Sequence, residues 1–246
     1  MNINYKVVFG SIYVLCLGIF LFFVFSYLDF KDLTNYSYIR DNTKELLDFK
    51  NNNYFLLVLL FSIFSIIWII FLGFGSPLAI VSGFVFGKWI GTIISVISFS
   101  IGCTLLYIIA SIYFRDLIIK HLEKKIYKFK SLFRKNEFFY FMVFRFCGGG
   151  GIPFGIQNVL PVIFDMSKKN YFYSTFLGLI PTLLIINSLG SGIENLIDKN
   201  INLTFKDIIF DPGIYWPILI FLLFLLISIF IKGKLFKGDN NENKKS

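Results

Sequence analysis

Acidic residues are absent from 54–113, and between Phe138 and Phe164 Arg145 is the only charged side chain. Paired buried carboxylates, HExxH and GxSxG are all missing, which leaves no machinery for a membrane hydrolase or a metal-dependent transferase. The one histidine, His121, lies among lysines and reads as solvated. Cys16, Cys103 and Cys147 are odd in number and each sits in an apolar run, so they make neither a disulfide framework nor a metal-ligand spacing. They read as small packing residues, although Arg145, two positions before Cys147, is a neighbour able to lower that thiol's pKa. No enzyme activity, catalytic residue, metal or cofactor is expected.

What the chain has is apolar length. Of its 246 residues 56% are hydrophobic and 20% aromatic, and mean hydropathy is +0.72. These values belong to an integral membrane protein. Uncharged runs cover 7–28, 54–87, 89–114, 146–164, 170–193 and 213–231, and several exceed the ~20 residues that cross a bilayer. Residues 1–30 read as a retained transmembrane helix, because the apolar run is too long for the core of a signal peptide.

Lysine and arginine assign the sides. Segment 115–137 holds eight basic residues and 232–246 holds five, while Lys168 and Lys169 mark another basic link. In contrast, 28–53 and 194–212 contain nine of the fifteen acidic residues. The positive-inside rule places 115–137, 165–170 and a disordered tail, 233–246, in the cytoplasm, with both termini on that side of the cell membrane. Loops 31–53 and 191–212 go outside, and a C-terminal span is expected over 213–232.

Counting crossings then forces a turn inside the membrane. Two full spans between loop 31–53 and segment 115–137 would return the chain to the side it left. As one helix, block 54–87 would be ~51 Å long against a ~30 Å hydrocarbon core, and it is broken at Gly73, Gly75 and Pro77. It is expected to enter and turn back; 54–72 as a separate span with a tighter hairpin after it stays open. Segment 138–164, flanked by cytoplasmic charge, is expected to be re-entrant for the same reason.

The break recurs at an offset of 76: Gly73, Gly75 and Pro77 return as Gly149, Gly151 and Pro153, and Ser98 and Gly102 as Ser174 and Gly178. An internal repeat of interrupted hydrophobic segments points to a transporter-like site. The expected fold is an all-α polytopic membrane protein, an inverted repeat with two opposed re-entrant helical hairpins, each followed by a transmembrane helix, in a core over 54–190. Irregular backbone at membrane depth survives only where it is buried in protein or lines a wet cavity, so both breaks should face inward.

Ile118, Leu122, Ile126, Phe129 and Phe133 mark one face of a helix whose other positions are largely lysine. Residues 115–136 therefore read as a basic amphipathic helix on the inner leaflet, drawn to anionic lipid and not to nucleic acid.

Arg145 is the foremost candidate site residue. An arginine at depth costs about 2.5–3.5 kcal/mol on insertion scales, and its natural partner there is a phosphate; snorkelling to the interface is the plainer alternative. Gly149 and Gly151 belong to a glycine run that forms either an anion-binding nest or a tight turn. Ser82, Gln157 and Asn158 either line a pathway or satisfy backbone. Gly75, Pro77 and Pro153 shape the half-helix ends, Pro181 and Asn187 a kink in the following helix. Asp165 caps a turn where the second hairpin leaves the membrane, with proton carriage as the other reading.

The stretch Gly75, Ser76, Pro77, then Gly83 to Gly87 and Gly91, resembles the first motif block of the DedA or VTT-domain superfamily (SNARE-associated Golgi proteins). Phe144, Arg145 and Phe146, then Pro153, Phe154 and Asn158, resemble its second block, and Tyr171 to Pro181 the helix after it. The resemblance covers about 54–190. It implies two opposed re-entrant hairpins and a role in moving lipid between leaflets, with Arg145, Pro153 and Asn158 on the substrate path. The chain departs from the family pattern where Cys147 to Gly151 replace a proline, where Pro161 or Val162 stands in place of a glycine, and in the missing acidic residues of the first hairpin, which speaks against proton coupling.

The function expected is a transporter or scramblase for a membrane phospholipid or a polyprenyl-phosphate lipid. A small-ion or solute transporter on the same scaffold, and a non-transport membrane assembly factor, are the alternatives. The sequence assigns no oligomeric state.

Overall fold

A computed structural model describes residues 5–27, 49–72, 74–120 and 136–198, with isolated positions between 212 and 226. Among the described residues all regular structure is helical. In order come α1 (Tyr5–Tyr27), α2 (Tyr54–Leu72), α3 (Ser76–Phe86), α4 (Lys88–Tyr113), α5 (Glu137–Phe146), α6 (Phe154–Val159) and α7 (Lys168–Asp198), with 3₁₀ turns Gly148–Gly151 and Leu160–Phe164 on either side of α6. Residues 115–120 are helical, but 121–135 of the expected basic helix lie outside the described residues. So do most of loops 31–53 and 191–212, most of the expected span 213–232, and the tail 233–246.

Helices α2, α4 and α7 each contain a stretch long and apolar enough to cross a membrane. Leu15, Phe22, Phe55, Trp89 and Ile93 turn large apolar side chains outward, a surface that water does not tolerate over such an area and lipid does.

Local chemistry sets the breaks. Gly75 precedes α3, and Pro77 lies in its first turn, where a missing N–H removes no hydrogen bond. Gly87, at φ 78°, separates α3 from α4 in a conformation costly for any side chain. Asn136 caps α5 by accepting from the Phe139 N–H at 3.1 Å. Asp165, at φ 54°, ends the second 3₁₀ turn.

The lengths of the helices on either side of the Gly75 break differ. Helix α2 is unbroken for 19 residues, about 28 Å, whereas α3 has 11 residues, about 16 Å. The two arms are unequal, the first long enough to span and the second only half that length. They nevertheless start and finish together, because the Phe86 ring packs against both Tyr54 and Phe61. At the bend, Gly75 is pressed onto the Phe99 ring, midway along α4.

Helices α4 and α7 run antiparallel through the centre. Gly91 meets Asn187 at one end, and Tyr107 stacks on Tyr171 near the other, centroids 4.4 Å apart. The α2–α3 hairpin lies on the Asn187 half, where Gly83 touches the Asn187 backbone and Gly190 the Ile80 backbone. The second hairpin, α5 to the Leu160–Phe164 turn, lies on the Tyr171 half. Its two ends meet where Glu137 accepts from the Ser167 N–H at 3.2 Å and from Asn170 Nδ2 at 2.6 Å. Glycine permits these close backbone approaches, the usual device for packing helices where no water drives association.

One contact occurs twice. Each hairpin's first arm is seated on a glycine of the helix that follows it: Ile66 and Ile69 on Gly102, Met142 and Arg145 on Gly178. Every member of the second set stands 76 positions after its counterpart.

α1 closes the outside of the bundle. The Tyr13 hydroxyl donates to the Ile70 carbonyl at 2.6 Å, and Phe9 packs on Tyr113. The start of α1 therefore lies at the same end as Arg115, whose guanidinium donates to Asp165 at 2.7 Å.

Candidate functional site

The site forms in the second hairpin because α5 ends at the glycine run and α6 returns beside it. Arg145 stands in the last turn of α5. Its Cβ is set against Gly178, which has no side chain to push it away. A helical side chain leans toward the N-terminus of its helix, and here the guanidinium is carried back into the space between α6 and α7, where it is 1% exposed. The described residues thus enclose the charge in protein.

Among the described residues its hydrogen-bond partners are all neutral. Nη2 donates to Asn158 Oδ1 at 2.5 Å and to the Tyr171 hydroxyl at 3.0 Å, and Nη1 donates to Gln157 Oε1 at 3.4 Å. Nε, although buried, makes no hydrogen bond among the described residues. Phe141 and Phe154 present their rings at 5.0 and 5.1 Å from the guanidinium carbon, within the range of cation–π attraction. Aromatic faces and amide oxygens soften the burial of a cation, but they do not neutralise it as a carboxylate would.

The partners are themselves held. Tyr171 donates from its hydroxyl to the Asn158 carbonyl at 3.2 Å, and its ring lies between Tyr107 and Phe141. The Tyr107 hydroxyl in turn donates to the Met166 carbonyl at 2.5 Å. Gln157 Nε2 donates to the carbonyls of Ile152 at 2.6 Å and Gly148 at 3.3 Å. Its carboxamide rests directly on Gly149, where no other residue would leave room. Gly148, Gly149 and Gly151 all have positive φ, between 63° and 83°, so the tip of the hairpin is a turn that depends on glycine.

Of the residues singled out in the sequence, Arg145, Gly149, Gln157 and Asn158 come together here. Gly151 and Pro153 are exposed on the same turn. Gly75, Pro77 and Ser82 belong to the other hairpin, where the Ser82 hydroxyl donates to the Gly91 carbonyl at 3.0 Å. Asp165 is paired with Arg115, which raises the already high pKa of that guanidinium. Sequence reasoning passed over Tyr107, Phe141, Phe154 and Tyr171 as site residues. No spacing rule connects them to Arg145, and in a chain this rich in aromatics no single ring stands out. Among the described residues no group of three His, Cys, Asp or Glu gathers to hold a metal ion.

Residues 74–192 match the family model of the VTT domain, a stretch that runs from the bend of the first hairpin through most of α7. No solved structure matches the chain.

Proposed function

The chain belongs to the VTT-domain family of membrane proteins, and from that premise we propose that it moves a phosphate-bearing lipid between leaflets. The α2–α3 hairpin and the α5–α6 hairpin are taken as re-entrant elements entering from opposite faces, related as an inverted repeat. Three observations support this arrangement: the antiparallel course of α4 and α7, the hairpins on opposite halves of that pair, and the glycine seat repeated at Gly102 and Gly178. Under the positive-inside rule the end carrying Arg115, Lys168 and Lys169 faces the cytoplasm of a cell membrane. The basic segment beyond it would collect anionic lipid, phospholipid or polyprenyl phosphate, at that leaflet.

The observation that carries the reading is Arg145 itself. A buried guanidinium bonded only to neutral groups is a standing positive charge, and a buried cation that lacks an opposite charge is held at a penalty of several kcal/mol. An incoming phosphate relieves it, while acyl chains remain in lipid outside the hairpins. Asn158 and Tyr171 hold the guanidinium in place, and the glycine turn at Gly149 and Gly151 offers backbone N–H groups to the anion. Pro153 begins the half-helix that bounds the site, and Gly75, Pro77 and Ser82 shape the opposing hairpin.

The test is leaflet equilibration of a fluorescent phospholipid in liposomes. Vesicles with purified protein should equilibrate faster than empty ones, and Arg145→Ala should abolish the gain while the protein stays folded. Equal rates with and without protein would refute the proposal.

A second reading, passage of a small ion or solute, draws on the buried hydroxyls of Ser65, Ser95 and Ser98, which have no hydrogen-bond partner among the described residues. Buried hydroxyls of this kind call for water or another polar occupant. Ion flux without lipid movement would favour it.

A further inference from the structure

Gln157 fills the space that an anion bound to Arg145 would need. Its Oε1 accepts from Arg145 Nη1 as a phosphate oxygen would, but at 3.4 Å this is the longest of the three bonds around the guanidinium. The amide nitrogen is tied to the Ile152 and Gly148 carbonyls, and the carboxamide covers Gly149. While it lies there, Nη1 and the face of the glycine turn are closed to a ligand. Nε remains a buried donor with nothing to bond. The side chain is 5% exposed, so it is a built part of the site and not a surface group resting by chance.

We propose that Gln157 is the gate of the Arg145 anion site: its carboxamide occupies the site at rest and swings away to admit a phosphate group. This inference rests on the reading of Arg145 as an anion site. The chemistry favours a movable gate. Opening breaks the long 3.4 Å bond to Nη1 and the two amide bonds to the Ile152 and Gly148 carbonyls, and the phosphate that enters gives the guanidinium an ionic, bidentate partner in place of one neutral amide oxygen. There is open space beside the turn, since a side chain at Gly148 or Gly151 would meet nothing within 4 Å. Asn158 and Tyr171 need not move, since their bonds to Nη2 at 2.5 and 3.0 Å hold the guanidinium on its other side.

A gate that is closed most of the time weakens apparent affinity by the fraction of time it is open. If it is closed nine-tenths of the time, Gln157→Ala should bind about tenfold more tightly. Gln157→Glu should do the reverse, because a carboxylate there is a permanent occupant.

The experiment measures thermal stabilisation of the full-length protein in detergent by inorganic phosphate, against chloride at equal ionic strength. A second arm uses nanodiscs with and without phosphatidic acid to separate free phosphate from a lipid headgroup. Tighter binding in Gln157→Ala and lost binding in Gln157→Glu are the expected results. If Gln157→Ala fails to fold, Gln157→Glu alone decides. Wild-type binding in Gln157→Glu, or no gain in a folded Gln157→Ala, overturns the gate. Leaflet exchange is scored separately. Exchange that needs Arg145 but ignores both Gln157 variants sinks the gate and leaves the transport reading, whereas phosphate binding that follows the variants without any exchange does the opposite.

Discussion

Ile69 and Arg145 occupy matching places in the two halves of the core. Ile69 Cβ lies 2.9 Å from the point where Gly102 would carry a side chain, and Arg145 Cβ lies 2.5 Å from the corresponding point on Gly178. Both side chains are fully buried, at 0% and 1% exposure. One half of the core thus has an aliphatic group where the other has a charge. The glycine contact is shared by the two halves and the side-chain chemistry is not, so the proposed function assigns anion recognition to the α5–α6 side.

The glycine seats can be tested directly. Gly102→Ala and Gly178→Ala each push a methyl group into a packed side chain and a carbonyl, and overpacking of this kind costs about 1–3 kcal/mol. Both should lower the midpoint of thermal unfolding in detergent. Gly18→Ala is the control, because nothing lies within 4 Å of that position, and its midpoint should be unchanged or slightly higher. Three equal midpoints would remove the basis for the repeated contact.

Lysine cannot replace the arginine. Arg145→Lys keeps the charge but loses the planar fork that serves Asn158, Tyr171 and Gln157 together. Purified Arg145→Lys protein should fold and show leaflet exchange reduced at least about tenfold, the loss expected when roughly 1.4 kcal/mol of binding to the passing phosphate disappears. Wild-type exchange in this variant would mean that a point charge is enough.

The Tyr171 hydroxyl links Arg145 to the Asn158 backbone. Tyr171→Phe keeps the stack on Tyr107 and removes two bonds, the one donated to the Asn158 carbonyl and the one accepted from Arg145 Nη2, at about 1–3 kcal/mol for each buried group left unpaired. The expected signature is a lower unfolding midpoint together with slower exchange. Tyr107→Phe, which loses only the bond to the Met166 carbonyl, should lower the midpoint without slowing exchange.

Topology is open to labelling. With Cys16, Cys103 and Cys147 replaced, single cysteines at Lys50 and Lys88 should react with a membrane-impermeant maleimide from outside the cell. Cysteines at Asn136 and Lys168 should react only after the cytoplasmic face is exposed. Lys50 and Lys88 on different faces, or Asn136 and Lys168 on different faces, would exclude the re-entrant arrangement.

Much of the scaffold could be read before any coordinates. Gly75 and the Gly149–Pro153 break fall between α-helices, and Pro77 opens the first turn of α3, because proline and glycine act locally and their effects hardly depend on the rest of the fold. The unequal arms were less legible. Helix α2 runs unbroken to Leu72, and hydropathy alone does not say how far a helix runs before its partner turns back. Tyr107, Phe141 and Tyr171 were invisible as a group, since three rings from α4, α5 and α7 meet only after the antiparallel packing is in place.

Helix breaks, apolar lengths and the 76-residue repeat follow from composition and backbone chemistry, and the amino-acid order alone determines them. The company that Arg145 keeps does not follow from it. Whether that charge snorkels to water or is enclosed depends on the Gly178 seat, the return of α6 beside α5 and the approach of Tyr171 from α7, which are relations between distant segments. Only the folded chain decides them, because burial and hydrogen-bond partnership are properties of surroundings and no side chain carries its surroundings in its own identity.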